Sequence, residues 1–573
     1  MKKTKFNKII ALAMAVAMTT LSFAGCGSDK KKDFTEGMSE EEKQKWEQAA
    51  ADPYGKYPEL ITYTTGYNLT NQGSDTLANT PYEKDTTENN AYTRYLKEVL
   101  NVQNKNAFEA ISGPDYDQKV SMAIASGDLP DIMHVTDYKT LKELVESDLI
   151  EDLTDVYNNL ACDTVRQSYA SYGEQNNPLT SATFDGKIMA IPKTQLSDGQ
   201  DFLWLRKDWL DKLKLQEPKS LEDMEKVLKA FIEQDPDGNG QKDTMGLVVN
   251  SDVYGEYPNN TFAIDNIFTS FSAYPNIWIE KDGKAVYGSV QDEMKPALEL
   301  LNRWYKEGLL DKEFATRTND DVVGLISSGK CGAYIGPWWS PFNQAQTSTY
   351  AKEHAQWINV SCPVGTDGKV QGINTKPYQG FVVVRKGYEH PELAMKIVNV
   401  QSEYAVQDKT EAVKEVKENQ SIAYFNWPLY CKVQPANNAQ IMTEHIAAVL
   451  DKKADVSTLS TEEESYYEAA LRYLEAEKNG KRADSADYSQ YMSRLVAIYK
   501  MTEEPANFVT PAFFETTDSM ATKWASLEKM EMETILKIII GEKDINAFDE
   551  FVQQWNKFGG EQITNEVNEE ISK

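Results

Sequence analysis

From Tyr57 onward the chain alternates short apolar runs with amphipathic stretches. "YPELITYTTGY" is short and rich in β-branched and aromatic residues, which predicts a strand running into a loop at Tyr67 and Asn68. "NNAYTRYLKEVLN" repeats apolar positions at helical spacing, and "NKNAFEAI" predicts a second strand. In the stretch that follows, a helix ends at Gly127, "DIMHV" predicts a strand, and a new helix starts after Asp137. Strands alternating with helices predict an α/β fold with a mostly parallel sheet covered on both faces. Ligands of such sheets bind beyond the carboxyl ends of strands, which is where Tyr67, Asn68 and Asp137 fall.

After "FDGKIMAIP" the character changes: a turn at Asp185-Gly186, a strand through Ile191 and Pro192, the apolar strand "FLWLR" and two helices mark a crossing into a second lobe. "YQGFVVVRKG" from Tyr378, followed by "HPELAMKIVNV", predicts a return crossing. The expected layout is an N-lobe over 57–197 plus about 378–436 and a C-lobe over 198–377 plus about 437–573, with a helical insert near 456–491. Two lobes joined by more than one strand predict a hinge above an interlobe cleft.

The opening residues belong to neither lobe. Four lysines, an apolar stretch from Ile9 to Phe23, then Ala24 and Gly25 before Cys26 predict a lipoprotein signal peptide over 1–25, although Phe23 stands where an aliphatic residue is usual. The stretch is short of the ~20 apolar residues that span a bilayer. Residues 26–56 are polar and charged, which predicts a flexible tether between a lipid on Cys26 and the folded body. Losing the first 25 residues removes four lysines and no acids, carrying the net charge from −29 to −33. Nucleic acid is therefore excluded as a partner, as is anionic lipid bound through charge. Cys162, Cys331, Cys362 and Cys431 lack paired spacing, and the four histidines form no HExxH pattern, so no zinc or disulfide framework is expected.

"DPDGNGQKDTMGLVV" carries the candidate metal chemistry. Asp235, Asp237, Asn239 and Asp243 follow the first nine positions of an EF-hand calcium loop with Gly240 at the turn, and the Gln241 carbonyl adds a donor. Position 12, where a bidentate Glu belongs, is Gly246, and "MGLVV" leaves the loop as a strand instead of a second helix. The loop is expected to act as a structural calcium clip, not a sensor.

Seven motifs lie in an order that resembles the extracellular solute-binding proteins of family 1. They are "SGDLPDIMHV" (126–135), "FDGKIMAIP" (184–192), "FLWLRKDWLDKLKL" (202–215), "DPDGNGQKDTMGL" (235–247), "LNRWYKEGLLDKEF" (301–314), "GKCGAYIGPWWSP" (329–341) and the closing stretch 535–563. The resemblance is nearest to large Gram-positive lipoproteins associated with aldouronate and other oligosaccharide uptake. It implies a type II two-lobed clamp, a monomer that carries a sugar to the permease subunits of an ABC transporter from the outer face of the cell membrane. It also implies an acylated, palmitate-bearing Cys26, and calcium held away from the ligand.

Sugars offer flat C–H faces and rims of hydroxyls, so their sites pair aromatic platforms with polar side chains. Trp338 and Trp339 follow a strand and a Gly-Pro break, and the resemblance implies that this loop walls the cleft. Trp278, Tyr274 and Trp427 sit in loop-like aromatic segments and are expected to line it too. Trp209, Trp304 and Trp555 recur at helical spacing and read as core, while Arg206 reads as paired with Asp208. A secreted glycoside hydrolase would also need an aromatic cleft, with two carboxylates about 5–10 Å apart. A surface sugar sensor or adhesin is the other alternative.

Overall fold

In a computed structural model, residues 37–70, 85–174, 176–195, 199–254, 261–407 and 427–572 are described. The signal stretch 1–25, Cys26 and the tether up to residue 36 lie outside them.

The N-lobe is organised around two sheets. Strand Ile61–Leu69 pairs in parallel with Val102–Ile111. Strand Tyr378–Val384 lies between Ile132–Val135 and Ile191–Thr194. The expectation of a mostly parallel sheet is corrected here: Tyr378–Val384 runs antiparallel to both neighbours. The reason is its origin, since it re-enters the lobe from the hinge that Ile191–Thr194 leaves by. Alternate residues divide between two cores, with Ile132, Val382 and Val384 on one face and Met133, Phe381 and Val383 on the other.

The C-lobe sheet is ordered Trp357–Val360, Phe202–Arg206, Cys331–Gly336, Met245–Leu247, with only the last pair parallel. The run "FLWLR" is buried at every position, because Leu203 and Leu205 enter one core while Phe202 and Trp204 enter another. Trp209, Trp304 and Trp555 are all buried in the first of these, and Arg206 holds Asp208 at 2.6 Å.

The expectation of a flexible tether fails over its second half. Ser39 and Glu42 form a capping box that starts a helix at Glu40–Ala51. The ring of Trp46 stacks on His390 at 5.8 Å and lies 5.6 Å from Tyr57. Lys396 then fastens the helix end, donating to the carbonyls of Ala49 (2.5 Å) and Gly55 (2.7 Å). Composition concealed this because a single Trp provides most of the buried apolar surface.

Candidate functional site in the hinge-side cleft

A cleft of about 670 Å³ opens in the C-lobe beside the hinge. It is built from segments distant in sequence: Gly199 and Asp201 before the strand Phe202–Arg206, the short helix Asp265–Thr269, the turn into Trp278, the crossing residues Gln371–Lys376, and 511–528. One wall is a helical stripe. In the helix Asp518–Ile539, Met520, Trp524 and Glu528 recur four apart with Ala521 and Ala525 beside them. The alanines keep the wall low beside the half-buried Trp524 ring.

That ring is supported from behind. Trp278 is 5 % exposed and stacks on Trp524 at 6.3 Å, while Tyr287 meets Trp524 edge-on at 5.1 Å. Tyr287 in turn stacks on Trp555 at 5.1 Å and donates its hydroxyl to the buried Glu531 at 2.9 Å. Burial pushes the Glu531 carboxyl up, while the hydroxyls of Ser289, Tyr254 and Tyr287 work against that. The result is a rigid aromatic stack with one open end.

Polar groups complete the lining. Asn266 is 3 % exposed, and both atoms of its amide are buried without a partner among the described residues. A buried amide in that state carries an unmet hydrogen-bonding demand that a ligand hydroxyl satisfies. Asn374 is fixed by Thr510 at 2.8 Å, and Thr269 by the Gln371 carbonyl at 2.8 Å. Glu515 accepts a 2.6 Å hydrogen bond from Tyr378 of the return strand. Burial pushes its carboxyl up to about 7, helped by the charge of Asp137 and opposed by Tyr378 and Lys376.

The sequence-derived site residues scatter. Trp278 lines the cleft as a support, with half-buried Tyr274 just before it. Tyr67 is fully buried and Asn68 half-buried at the end of the first strand, with the Asn68 Oδ1 buried and unpartnered among the described residues. Asp137 is an N-cap, with one oxygen taken by the Thr140 N–H (2.8 Å) and the other by its hydroxyl (2.7 Å). Trp427 corrects its expectation: it is 4 % exposed in the N-lobe core, against Tyr92 at 4.5 Å and Tyr95 at 6.5 Å. Trp338 is not an open platform either, being 7 % exposed with the Arg494 guanidinium 4.9 Å from its ring centre; Trp339 is half-buried. Trp524, Asn266 and Glu515 were missed, although the Met520, Trp524, Glu528 spacing with intervening alanines was visible in the sequence.

The acidic loop lies elsewhere, after the helix Leu221–Glu233. Asp235 accepts the N–H groups of Gly238, Asn239 and Gly240 at 3.0–3.1 Å. The Asn239 amide nitrogen donates to Asp237 (2.7 Å) and Asp243 (2.9 Å), and Lys330 pairs with Asp243 at 3.3 Å. The Gln241 N–H donates to the Asn239 side-chain oxygen at 2.7 Å. No three carboxylate, His or Cys side chains among the described residues converge on a point for a metal. The carboxylates turn to N–H donors instead, and burial together with the Asp235 carboxylate pushes Asp237 up. The donor set is still all oxygen on one turn, with three carboxylates and an amide, which is the chemistry calcium takes.

A family model for the bacterial extracellular solute-binding proteins matches residues 80–408. The polygalacturonan/rhamnogalacturonan-binding protein YtcQ of Bacillus subtilis is 25 % identical over 462 residues, 79 % of this chain and 82 % of YtcQ. Lipoprotein LipO of the same organism is 27 % identical over 472 residues, 79 % of this chain and 83 % of its own. FusA of Streptococcus pneumoniae, a fructooligosaccharide ABC transporter substrate-binding protein, is 31 % identical over 237 residues, 39 % of this chain and 42 % of FusA. The structure of FusA with kestose superposes with a TM-score of 0.56 at 17 % identity, over 90 % of this chain and 99 % of FusA. An EF-hand mutant of FusA with fructo-nystose reaches 0.57 at 17 % identity, over 89 % of this chain and 99 % of that one. The shared fold is the two-lobed α/β clamp.

Proposed function

The chain belongs to the bacterial extracellular solute-binding proteins, and from that premise we propose that it captures an oligosaccharide for an ABC importer. The observation that carries this reading is the cleft, where the braced Trp524 ring stands near the unpartnered Asn266 amide. A sugar ring lays its C–H face on the indole and its hydroxyls on the amide. The lobes close by pivoting on the crossings at 374–378 and 434–438, so that Asn68 and the N-lobe strand ends beside Tyr67 and Asp137 face the sugar from the other side. Tyr274 and Trp339 contribute at the margin. YtcQ, named for pectic polysaccharides, and FusA, solved with kestose, support carbohydrate as the ligand class.

Binding proceeds without conversion, and the ligand passes unchanged to the permease subunits. The mature protein is held at the outer face of the membrane by acylation of Cys26, a reading supported by the lipoprotein relative. The acidic loop takes a structural calcium through Asp235, Asp237, Asn239, Gln241 and Asp243, a reading supported by the EF-hand of FusA. Calcium there supplies the charge neutralisation that Lys330 provides only in part, beside the hydrogen bonds donated by the Asn239 amide.

Calorimetry against a panel of neutral and uronic oligosaccharides tests the proposal. A saccharide that binds and is recovered intact after prolonged incubation is the expected result. Reducing ends that grow with time would overturn it in favour of a hydrolase.

A further inference from the structure

A second cavity, of about 260 Å³, lies where the two lobes meet at the hinge. It shares only Asn374 and Thr375 with the aromatic cleft. One side is the segment that follows the helix Asp163–Ala170, a helix whose Tyr169 is buried in the N-lobe core. The other side is the start of the helix Asn438–Leu450, whose Ala439 packs with Phe202 and Trp204 in a C-lobe core. Between the two stand Gln195, at the end of the strand Ile191–Thr194, and the crossing residues Asn374, Thr375 and Pro377.

Hydrogen bonds fix these walls against one another. Tyr172 donates its hydroxyl to the Gln195 carbonyl at 2.7 Å, and the Gln195 N–H donates to the Pro377 carbonyl at 2.9 Å. The Ala436 N–H donates to the Ser171 hydroxyl oxygen at 2.9 Å, which ties the N-lobe side to the entry of the C-lobe helix.

Two side-chain oxygens in the lining are buried and lack a partner among the described residues: Asn176 Oδ1 on the N-lobe side and Gln440 Oε1 on the C-lobe side. Both are acceptors, so each carries an unmet demand for a donor. Asn437, the N-cap of Asn438–Leu450, makes no side-chain cap bond, which leaves first-turn N–H groups of that helix without the usual acceptor. A hydroxyl both donates and accepts, and meets both needs. No charged side chain is among the described residues of the lining, so an ionic ligand would lose its hydration without gaining a counter-charge. The volume falls just below the roughly 300–1,000 Å³ of ordinary ligand pockets, which limits an occupant to about one sugar ring.

We propose that this hinge cavity is a second binding site, taking a small neutral polyhydroxyl compound no larger than a monosaccharide, which bridges Asn176 and Gln440. An occupant held by one residue from each lobe favours the hinge angle that sets them on one cavity. That angle is the open one, since the described lining of the aromatic cleft includes none of Tyr67, Asn68 and Asp137. Occupancy of the hinge therefore opposes closure on an oligosaccharide. This coupling rests on the proposed oligosaccharide capture, and the site itself does not.

Glucose and glycerol, titrated separately into the calcium-supplemented mature protein by calorimetry, are the probes. The expected result is saturable binding of one molecule of at least one of them, with an affinity that Trp524→Ala leaves unchanged. Asn176→Leu and Gln440→Met keep side-chain size and remove the acceptors. Each should weaken that binding by about fivefold, the scale of one neutral hydrogen bond. Melting curves establish that the variants fold, and if one fails to fold the other decides. Binding of neither probe, or binding that Trp524→Ala removes and the hinge variants spare, overturns the site. The saturating probe should weaken binding of kestose or galacturonate trimer to a plateau at least about fivefold below the starting affinity, whereas competition for the cleft would go on growing with probe concentration. Unchanged cleft affinity overturns the coupling and keeps the site. Oligosaccharides that bind nowhere overturn capture and coupling together, and the hinge site then stands or falls on glucose and glycerol alone.

Discussion

Glu515 makes stability depend on pH in a direction opposite to that of most carboxylates. It stands in the cleft, and burial raises its carboxyl from the ordinary 4.5 to about 7 while Tyr378 donates to it at 2.6 Å. The folded protein therefore holds this proton more tightly than the unfolded chain does. The resulting stabilisation is full below pH 4.5 and is lost as pH rises through 7. Linkage with those two values gives a loss of about 2.5 kcal/mol between pH 5 and pH 8 from this one group. Glu515→Gln keeps a neutral, hydrogen-bonding side chain of the same size and abolishes the titration. Melting curves of both proteins across pH 5–8 isolate the effect, because every other titrating group cancels in the difference. The melting temperature of the parent should fall by about 5–10 °C relative to the variant over that range, at about 2–4 °C per kcal/mol. Parallel curves would show that Glu515 stays ionised throughout, and a difference of opposite sign would place a cation against it.

Trp524→Ala should weaken oligosaccharide binding by roughly tenfold to a hundredfold, the cost of losing one apolar platform, as read by calorimetry. Its melting temperature should fall less than that of Trp304→Ala, because Trp304 is fully buried and its loss leaves a cavity worth about 3–5 kcal/mol. Calcium at 100 times its dissociation constant should add about 2.7 kcal/mol, so chelation should lower the melting temperature of the parent and leave Asp237→Ala unmoved. Cys26→Ala should release the protein from membranes into the medium on fractionation, and continued retention would locate the anchor elsewhere.

Much of the scaffold was legible because burial on both faces leaves continuous apolar runs. "FLWLR" and "GFVVV" are strands whose alternate residues enter different cores, and Gly127 and Asp137 do cap helices. Strand direction was not legible, since it depends on which side of the hinge a strand enters from. The cleft escaped notice because it joins residues near 200, 270, 375 and 520, and no local pattern records that convergence. Trp427 looked like a loop aromatic because its partners, Tyr92 and Tyr95, belong to a helix more than 300 positions earlier.

The docked helix Glu40–Ala51 sets the length of the leash. Under the proposed acylation of Cys26, thirteen peptide steps separate the lipid from Ser39, the N-cap of that helix. Whatever path they take, they reach no farther than about 45 Å. The leash is also attached to one lobe only, since Trp46 and Lys396 bind the helix to the N-lobe core. On the proposed anchoring, the N-lobe is thus the moored half of the clamp. The C-lobe, carrying the aromatic wall, would then be the half that swings, so that the proposed loading moves the aromatic jaw against a stationary one.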